Sequence, residues 1–190
     1  MIATLHIVSL CTYAQVAQSG IQLSYCALEL TEDKVVYDPA YRSIDYPMGD
    51  VPSGTGVCTD VVIRAYRKMG VDLQRLVHED MRAHFSVYPD RWGLKSTDTN
   101  IDHRRVPNLM TYFERQGATR STDRDPSIYL PGDIVCWDLG GGITHIGIVA
   151  DLRHRRSGNP LIVHNIGAGQ VLADCLFSYQ IIGHYRYLVD

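Results

Sequence analysis

The hydrophobic pattern of this chain changes from helical spacing to strand spacing near Pro131, and this change limits the fold to a few classes. Before that point, apolar residues recurring every three or four positions predict helices over Ile21–Leu30, from Cys58 to a stop at Gly70, from Asp72 to Ala83, and over Val106–Gln116. After it, short apolar runs predict strands over Ile134–Trp137, His145–Ala150, Leu161–Ile166 and Ile181–Val189. Because the connections between these runs are short, we expect an antiparallel sheet and an α+β fold.

Bulk composition narrows the classes of function. A length of 190 residues suggests one domain, and a net charge of −3 supplies no basic field for nucleic acid. Five cysteines without a C-x-x-C pair argue against a zinc ribbon or a dense disulfide framework, and we interpret Cys26, Cys136 and Cys175 as small core residues. No run approaches about 20 apolar residues, so we predict no membrane span.

The first 18 residues are mostly apolar and have small residues near a possible cleavage point. They resemble a secretory signal that lacks the usual basic start, because the first Lys or Arg is Lys34. An ordinary first helix and a lipid-anchored Cys11 are the alternatives. We therefore predict a possible signal peptide over 1–18, a folded domain over 19–190, and a periplasmic or secreted protein.

Cys58 follows a glycine-rich loop and opens a predicted helix. The unpaired N–H groups and the positive dipole at a helix start favour a thiolate and can bind an oxyanion. We predict that Cys58 is a nucleophile with a pKa below that of free cysteine, and that it alkylates fastest among the five cysteines. The alternative is a buried structural cysteine, because Cys58 shares a helix face with Val62 and Ala65.

His145 opens a predicted strand directly after the loop Gly140–Gly142, and Gly147 leaves space on the same strand face. We predict that His145 is the general base, although a histidine that merely ends a strand would show the same pattern. His164 and Asn165 follow on the next strand of a predicted hairpin. Side-chain parity allows only one of them to face His145 and orient it, and the sequence does not choose between them.

Other polar residues lie near these positions in the sequence. Asp60 and Arg64 stand four residues apart on the predicted helix, which predicts a surface ion pair. Asp102, Arg104 and Arg105 form a dense polar cluster before another helix, so the two arginines are candidates for binding a substrate carboxylate. Tyrosines precede the Cys58 loop, and Tyr46 is our candidate among them for contact with substrate; the tyrosines are Tyr37, Tyr41 and Tyr46.

Several long motifs resemble the bacterial domain-of-unknown-function family 1287. The resemblance extends from about Ile21 to the C-terminus, and its motifs are Tyr37–Tyr41, Gly56–Ala65, Asn100–Leu109, Pro131–Val135, His164–Gly167 and Gly183–Tyr187. That family is similar to the NlpC-type branch of papain-like cysteine amidases. In that branch a Pro-Gly-Asp turn precedes a strand and the catalytic histidine opens the next strand, which Pro131–Asp133 and His145 match.

The resemblance implies an NlpC-type papain-like domain that cleaves amide bonds in peptidoglycan-type peptides, with no cofactor and no metal site. It also implies that His164, more than Asn165, orients His145. We therefore predict a cysteine amidase or peptidase with catalytic residues Cys58, His145 and His164. The alternatives are a non-catalytic wall-binding module of the same fold, a metal-dependent hydrolase, and an acyltransferase with the same residues.

Overall fold

The computed structural model describes residue 15 and residues 18–188, and this part of the chain has an α+β fold, as predicted. Most of the signal peptide predicted over 1–18 lies outside the described residues. Each predicted helix is present within two or three residues of its expected bounds. The helices are α1 (18–29 in its described part), α2 (Cys58–Lys68), α3 (Leu73–Ala83) and α4 (Val106–Arg115), with 3-10 turns at Leu30–Glu32, Phe85–Val87 and Asp102–Arg104.

Five strands form the main antiparallel sheet, and two further residue pairs form a small parallel ladder. The ladder consists of β1 (Val36–Tyr37) and β2 (Thr55–Gly56). The sheet has the order β6-β5-β4-β3-β7, and its strands are β3 (Ile134–Asp138), β4 (Thr144–Arg153), β5 (Pro160–His164), β6 (Val171–Ala173) and β7 (Gln180–Tyr185). The antiparallel pairing and the β4–β5 hairpin confirm the prediction.

The two faces of this sheet bury different partners. One face packs against the helices, where α2 contributes Val61 and Val62 and the sheet contributes Ile134, Cys136, Ile146, Ile148, Ala150 and Val163. The opposite face packs against loop residues, with Trp137 donating its indole N–H to the carbonyl of Leu176 at 2.9 Å. Because successive residues of a strand alternate between faces, neighbouring residues of β4 meet different environments.

The Pro131–Gly132–Asp133 turn holds the sheet to the rest of the domain. The buried carboxylate of Asp133 accepts hydrogen bonds from Leu130 N at 2.8 Å, His184 Nε2 at 2.8 Å and Arg186 Nε at 2.7 Å. Gly132 has a positive φ of 82°, and a Cβ there would lie 2.3 Å from the carbonyl oxygen of Gly20 in α1. The turn is therefore a structural clamp, and only glycine allows α1 to approach it so closely.

Three strand ends differ from the sequence prediction by more than one residue, and three short strands were not predicted. β4 runs to Arg153, three residues past the predicted Ala150. The last strand was predicted to run to Val189, but β7 ends at Tyr185, since the N–H of Arg186 donates to Ala118 instead. β5 likewise ends at His164, two residues before the predicted Ile166. β1, β2 and β6 are only two or three residues long, too short for a period-two pattern to be recognised. No helix in the described part of the chain is both long and apolar enough to cross a membrane.

Candidate functional site

Cys58 is the first residue of α2, and a carboxylate on the same helix organises the backbone there. Asp60 accepts a hydrogen bond from the N–H of Val57 at 2.6 Å, which closes the start of the helix. The preceding residue Gly56 pairs with Tyr37 in the parallel ladder, so the loop that carries Cys58 is held on both sides. This local structure confirms the predicted position of Cys58 at a helix start.

The thiol of Cys58 is almost completely buried, with 6% of the residue exposed, and it lies at the edge of β4. Burial raises the pKa of Cys58 to about 11, while the N–H of Ile146 in β4 lowers it and the charge of Asp60 raises it further. The sequence predicted a pKa below that of free cysteine, and this prediction is wrong in direction. Loss of solvation outweighs the helix terminus, so the resting group is a thiol.

We expect the rate of Cys58 alkylation by iodoacetamide to keep rising from pH 7 to pH 10, roughly tenfold per pH unit. The reason is that the reactive thiolate fraction grows until pH reaches the pKa of about 11. A free thiol would level off near its own pKa of about 8.5. Peptide mass spectrometry of the native protein measures the label on Cys58, and a plateau below pH 8 would contradict the raised pKa.

His145 and His164 form a direct pair on neighbouring strands. Nε2 of His145 lies 2.8 Å from Nδ1 of His164, and both residues are buried. The pairing of Ile148 with Val163 places His164 opposite Gly147, two residues along the strand from His145 on the same face. Parity allowed only one of His164 and Asn165 to face His145, and the choice of His164, which the family resemblance implied, is confirmed as a contact, while its catalytic role stays a prediction.

Asn165 points to the opposite side of the chain and supports the loop that leads to Cys58. Its Nδ2 donates to the carbonyl of Gly56 at 3.3 Å, and its Oδ1 accepts from the N–H of Gly167 at 3.1 Å. Gly56 stands two residues before Cys58. Asn165 therefore positions the backbone that carries the thiol, and it makes no contact with the imidazole of His145.

Gly147 lets the two imidazoles meet, because a side chain at this position would occupy the space between the strands. A Cβ on Gly147 would lie 2.7 Å from Cγ2 of Ile162, 3.0 Å from the carbonyl oxygen of Val163 and 3.1 Å from Cβ of His164. The glycine that the sequence singled out as leaving space is thus required by the close approach of β5.

We expect Gly147→Ala to destabilise the domain by about 1–3 kcal/mol, because the backbone of β5 must move to accept the methyl group. The same movement would lengthen the contact between His145 and His164. Thermal unfolding measures the first effect, and imidazole NMR signals of the pair measure the second. An unchanged melting temperature together with unchanged imidazole signals would contradict this account of Gly147.

Burial also determines the protonation of the two histidines. It lowers the pKa of His145 to about 3, with a further contribution from His164, and it lowers the pKa of His164 itself. Both rings are therefore neutral at neutral pH. Nδ1 of His164 can accept the Nε2 proton of His145, and in that tautomer Nδ1 of His145 carries a free lone pair.

The thiol and the histidine pair meet at the edge of β4 from opposite sides. The imidazole of His145 lies on the face of Trp137, with ring centroids 5.7 Å apart, whereas Cys58 belongs to the helix-side core. The thiol accepts from the peptide N–H that directly follows His145. Among the described residues no hydrogen bond joins Cys58 Sγ to His145, whose Nε2 is used by His164.

A cavity of about 220 Å³ opens beside Cys58. Aromatic and basic residues contribute much of its wall, and the residues around the thiol are Tyr37, Pro39, Trp92, Arg104, Arg105 and Thr144. Thr144 is the residue before His145, so the cavity reaches the end of β4. Tyr46, predicted to contact substrate, does not line this cavity, because its ring packs against His78 at 5.2 Å. Tyr37 is the tyrosine that lines it.

The two arginines predicted to bind a carboxylate have different environments. Arg104 forms a buried bidentate ion pair with Asp60, with Nε to Oδ1 at 2.9 Å and Nη2 to Oδ2 at 3.0 Å. The expected surface pair of Asp60 with Arg64 is therefore wrong, and Arg64 binds Asp50 instead. Arg105 stacks over the ring of Trp92 at 4.1 Å from its centroid. Only Arg105 keeps its charge available to the cavity.

Sequence reasoning missed three residues of this region. Trp92 enters the cavity wall from an irregular segment without a periodic signal. Cys175 lies 3.7 Å from Nε2 of His164 and is partly exposed, whereas the predicted core positions of Cys26 and Cys136 are confirmed. Asp60 stands at the third position of α2, where a carboxylate closes a helix start, and this signal could have identified its role.

The described residues around Cys58 do not form a set of metal ligands. Within the described part of the chain, no group of three or more His, Cys, Asp or Glu side chains is placed to hold a metal ion. His145 and His164 use their facing nitrogens on each other.

Comparisons with known proteins identify relatives whose function is also open. A family model described as "Domain of unknown function (DUF1287)" matches residues 25–187. The chain is 52% identical over 173 residues to "Uncharacterized protein YijF" from Escherichia coli (strain K12), and this match covers 91% of the chain and 84% of that protein. No solved structure matches the chain significantly.

Proposed function

The chain belongs to the DUF1287 family, and we propose that it is a cysteine hydrolase that cleaves an amide bond in bacterial cell-wall peptides. The observation that carries the proposal is the 2.8 Å pair of His145 and His164 at the strand edge that also receives the thiol of Cys58. A candidate nucleophile, a candidate base and a candidate orienting group thus lie close together where α2 meets β4 and β5, and these are the groups that covalent catalysis requires.

The proposed reaction begins with a neutral thiol and a neutral imidazole. Cys58 Sγ attacks the amide carbonyl carbon while its proton moves to Nδ1 of His145, and the imidazolium is stabilised by His164. Backbone N–H groups at the start of α2, together with the hydroxyl of Tyr37, stabilise the oxyanion. His145 then protonates the leaving amine, and water attacks the thioester to release the acid and restore the thiol.

The cell-wall assignment rests on the similarity to NlpC-type amidases, and so does the papain-like arrangement of helix and sheet. A nucleophile at the start of α2, a base at the start of β4 and an orienter on β5 follow the order of that branch. A periplasmic or secreted location accompanies this substrate. Edman or mass-spectrometric analysis of the mature protein from native cells tests the location, and we expect its first residue near Gln18–Ile21.

Digestion of purified peptidoglycan tests the activity. We expect the wild-type protein to release peptide fragments with new amino groups, identified by mass spectrometry, and Cys58→Ala to release none. The reaction should persist in a chelator, since a metal hydrolase would lose it. If both proteins sediment with peptidoglycan and release nothing, the chain is a wall-binding module and the proposal fails.

A further inference from the structure

Arg105 is a half-buried cation without a carboxylate partner in the part of the chain that the structure describes. Its guanidinium lies over Trp92, and its Nη1 is fully buried without a hydrogen-bond partner. A charge removed from water is unfavourable unless a partner compensates it. The guanidinium has five donors in a rigid plane, which suits a carboxylate.

The nearest acidic side chains do not supply that partner. Asp98 and Asp102 both raise the pKa of Arg105 through their charge, but burial has the larger effect and lowers it. Asp98 accepts the hydroxyl of Tyr41 at 3.0 Å, and Asp102 accepts the N–H of Asp98 at 2.7 Å and lies 3.4 Å from Nδ1 of His78. Neither carboxylate lines the cavity of Cys58.

Arg105 supplies the excess positive charge of the cavity lining. Two charged residues, Arg104 and Arg105, belong to the lining, and Arg104 is neutralised by Asp60. The cavity lining therefore carries one positive charge with no acidic side chain of the lining beside it, next to an aromatic wall formed by Trp92 and Tyr37. Such a wall suits the apolar part of a ligand whose anionic end reaches Arg105.

We infer that Arg105 binds a substrate carboxylate, so that the enzyme acts on peptides that carry a free carboxylate close to the scissile amide. The inference rests on the proposed function for its reaction, but the anion site itself does not require catalysis. Stacking on Trp92 fixes the orientation of the Arg105 guanidinium. Arg104 has a separate role, because its ion pair with Asp60 supports the start of α2. The carboxylate selects the substrate, and Cys58 attacks the neighbouring carbonyl.

A pair of alkylating reagents that differ in charge tests the inference. Iodoacetate is an anion, iodoacetamide is neutral, and the two are nearly the same size. We expect the ratio of their rates at Cys58, divided by the same ratio for 2-mercaptoethanol, to be about tenfold in favour of iodoacetate at low salt. In Arg105→Gln the ratio should fall to that of the free thiol, and Arg105→Lys should retain part of the preference.

Arg156→Gln is the matched control, because it removes the same charge from an exposed position. Arg156 lies in the β4–β5 turn, roughly 30 Å along a ten-residue strand from Thr144 at the cavity. The ratio of the iodoacetate rate to the iodoacetamide rate in Arg156→Gln should equal that of the wild type. Equal ratios in wild type and Arg105→Gln, with both proteins folded by thermal unfolding, would overturn the inference.

A second measurement does not depend on the reactivity of Cys58. In ¹⁵N-labelled Cys58→Ala protein, the Arg105 Nε–H signal is assigned by its loss in the additional variant Arg105→Gln. We expect sodium acetate to shift this signal and acetamide to leave it unchanged at constant ionic strength. If Cys58 reacts with neither reagent but acetate shifts Arg105, the proposed hydrolase fails and the anion site stands; no shift with acetate overturns the anion site.

Discussion

Replacing His145 with alanine is expected to lower turnover about 1000-fold or more, and His164→Ala about 100-fold, without unfolding the domain. His145 directly precedes Ile146, whose N–H contacts the Cys58 thiol, so it is the proposed acceptor of the thiol proton, and general acid–base catalysis contributes about 10²–10⁴. His164 fixes the tautomer and aim of that ring, and misplacing a catalytic group costs about 10²-fold. Both rings are neutral, so neither variant leaves a buried charge.

Release of peptides from peptidoglycan measures turnover, and thermal unfolding measures stability. Asn165→Ala is the matched control, because it lies next to His164 on the other side of the chain. It should lose about 1–3 kcal/mol of stability, since its buried side chain bonds Gly56 and Gly167, and less activity than His164→Ala. A larger activity loss in Asn165→Ala than in His164→Ala would show that Asn165, and not His164, orients His145.

The double variant His145→Ala, His164→Ala tests whether His164 acts through His145 or independently of it. If His164 acts only through His145, the double variant should be no slower than His145→Ala alone, because the orienter has nothing left to orient. Losses that multiply would show that His164 contacts the reacting atoms itself. Full activity in every variant would place the reaction elsewhere in the molecule.

Replacing Arg104 with methionine is expected to destabilise the fold by about 3–5 kcal/mol, because it leaves the buried carboxylate of Asp60 without its partner. For a chain of this size, each kcal/mol shifts the melting temperature by about 2–4 °C, which gives a fall of roughly 6–20 °C. Asp60 also closes the start of α2, so the variant should disturb the position of Cys58 as well.

An exposed ion pair gives the comparison for this prediction. Lys68 and Glu29 lie 2.8 Å apart, but both side chains are largely exposed. Lys68→Met should therefore change stability by less than about 1 kcal/mol. The double variant Asp60→Leu, Arg104→Met should recover much of the loss, because it removes the buried charge as well as its partner. Equal effects of Arg104→Met and Lys68→Met would contradict the buried pair.

Much of the fold is readable from local patterns, as α2 and β4 illustrate. The apolar spacing that follows Cys58 predicts a helix that starts there, and the structure confirms that start. The glycines before His145 predict a flexible connection into a strand, and β3 and β4 are joined by a turn in which Gly140, Gly141 and Gly142 have positive φ. Both features depend on preferences of residues close together in the chain.

The choice between His164 and Asn165 shows what such local patterns do not predict. Parity along β5 limits His145 to one of the two, but the register of β4 and β5 decides which. That register follows from the close approach at Gly147 and from the packing of Ile148 and Val163 against the helices. These contacts join residues on different strands, so spacing within one strand does not report them.

By itself, the sequence determined the candidate residues for the proposed chemistry: a cysteine that opens a helix, a histidine that opens a strand, and a polar pair on the next strand. Only the tertiary structure decided the burial, the protonation and the partners of these residues. It buried Cys58 and so raised a pKa that the helix start alone would lower. It paired Asp60 with Arg104 across 44 residues and left Arg105 free over Trp92. The physical reason is that helix and strand preferences act over a few neighbouring residues, whereas solvation and ion pairing depend on groups brought together from distant parts of the chain.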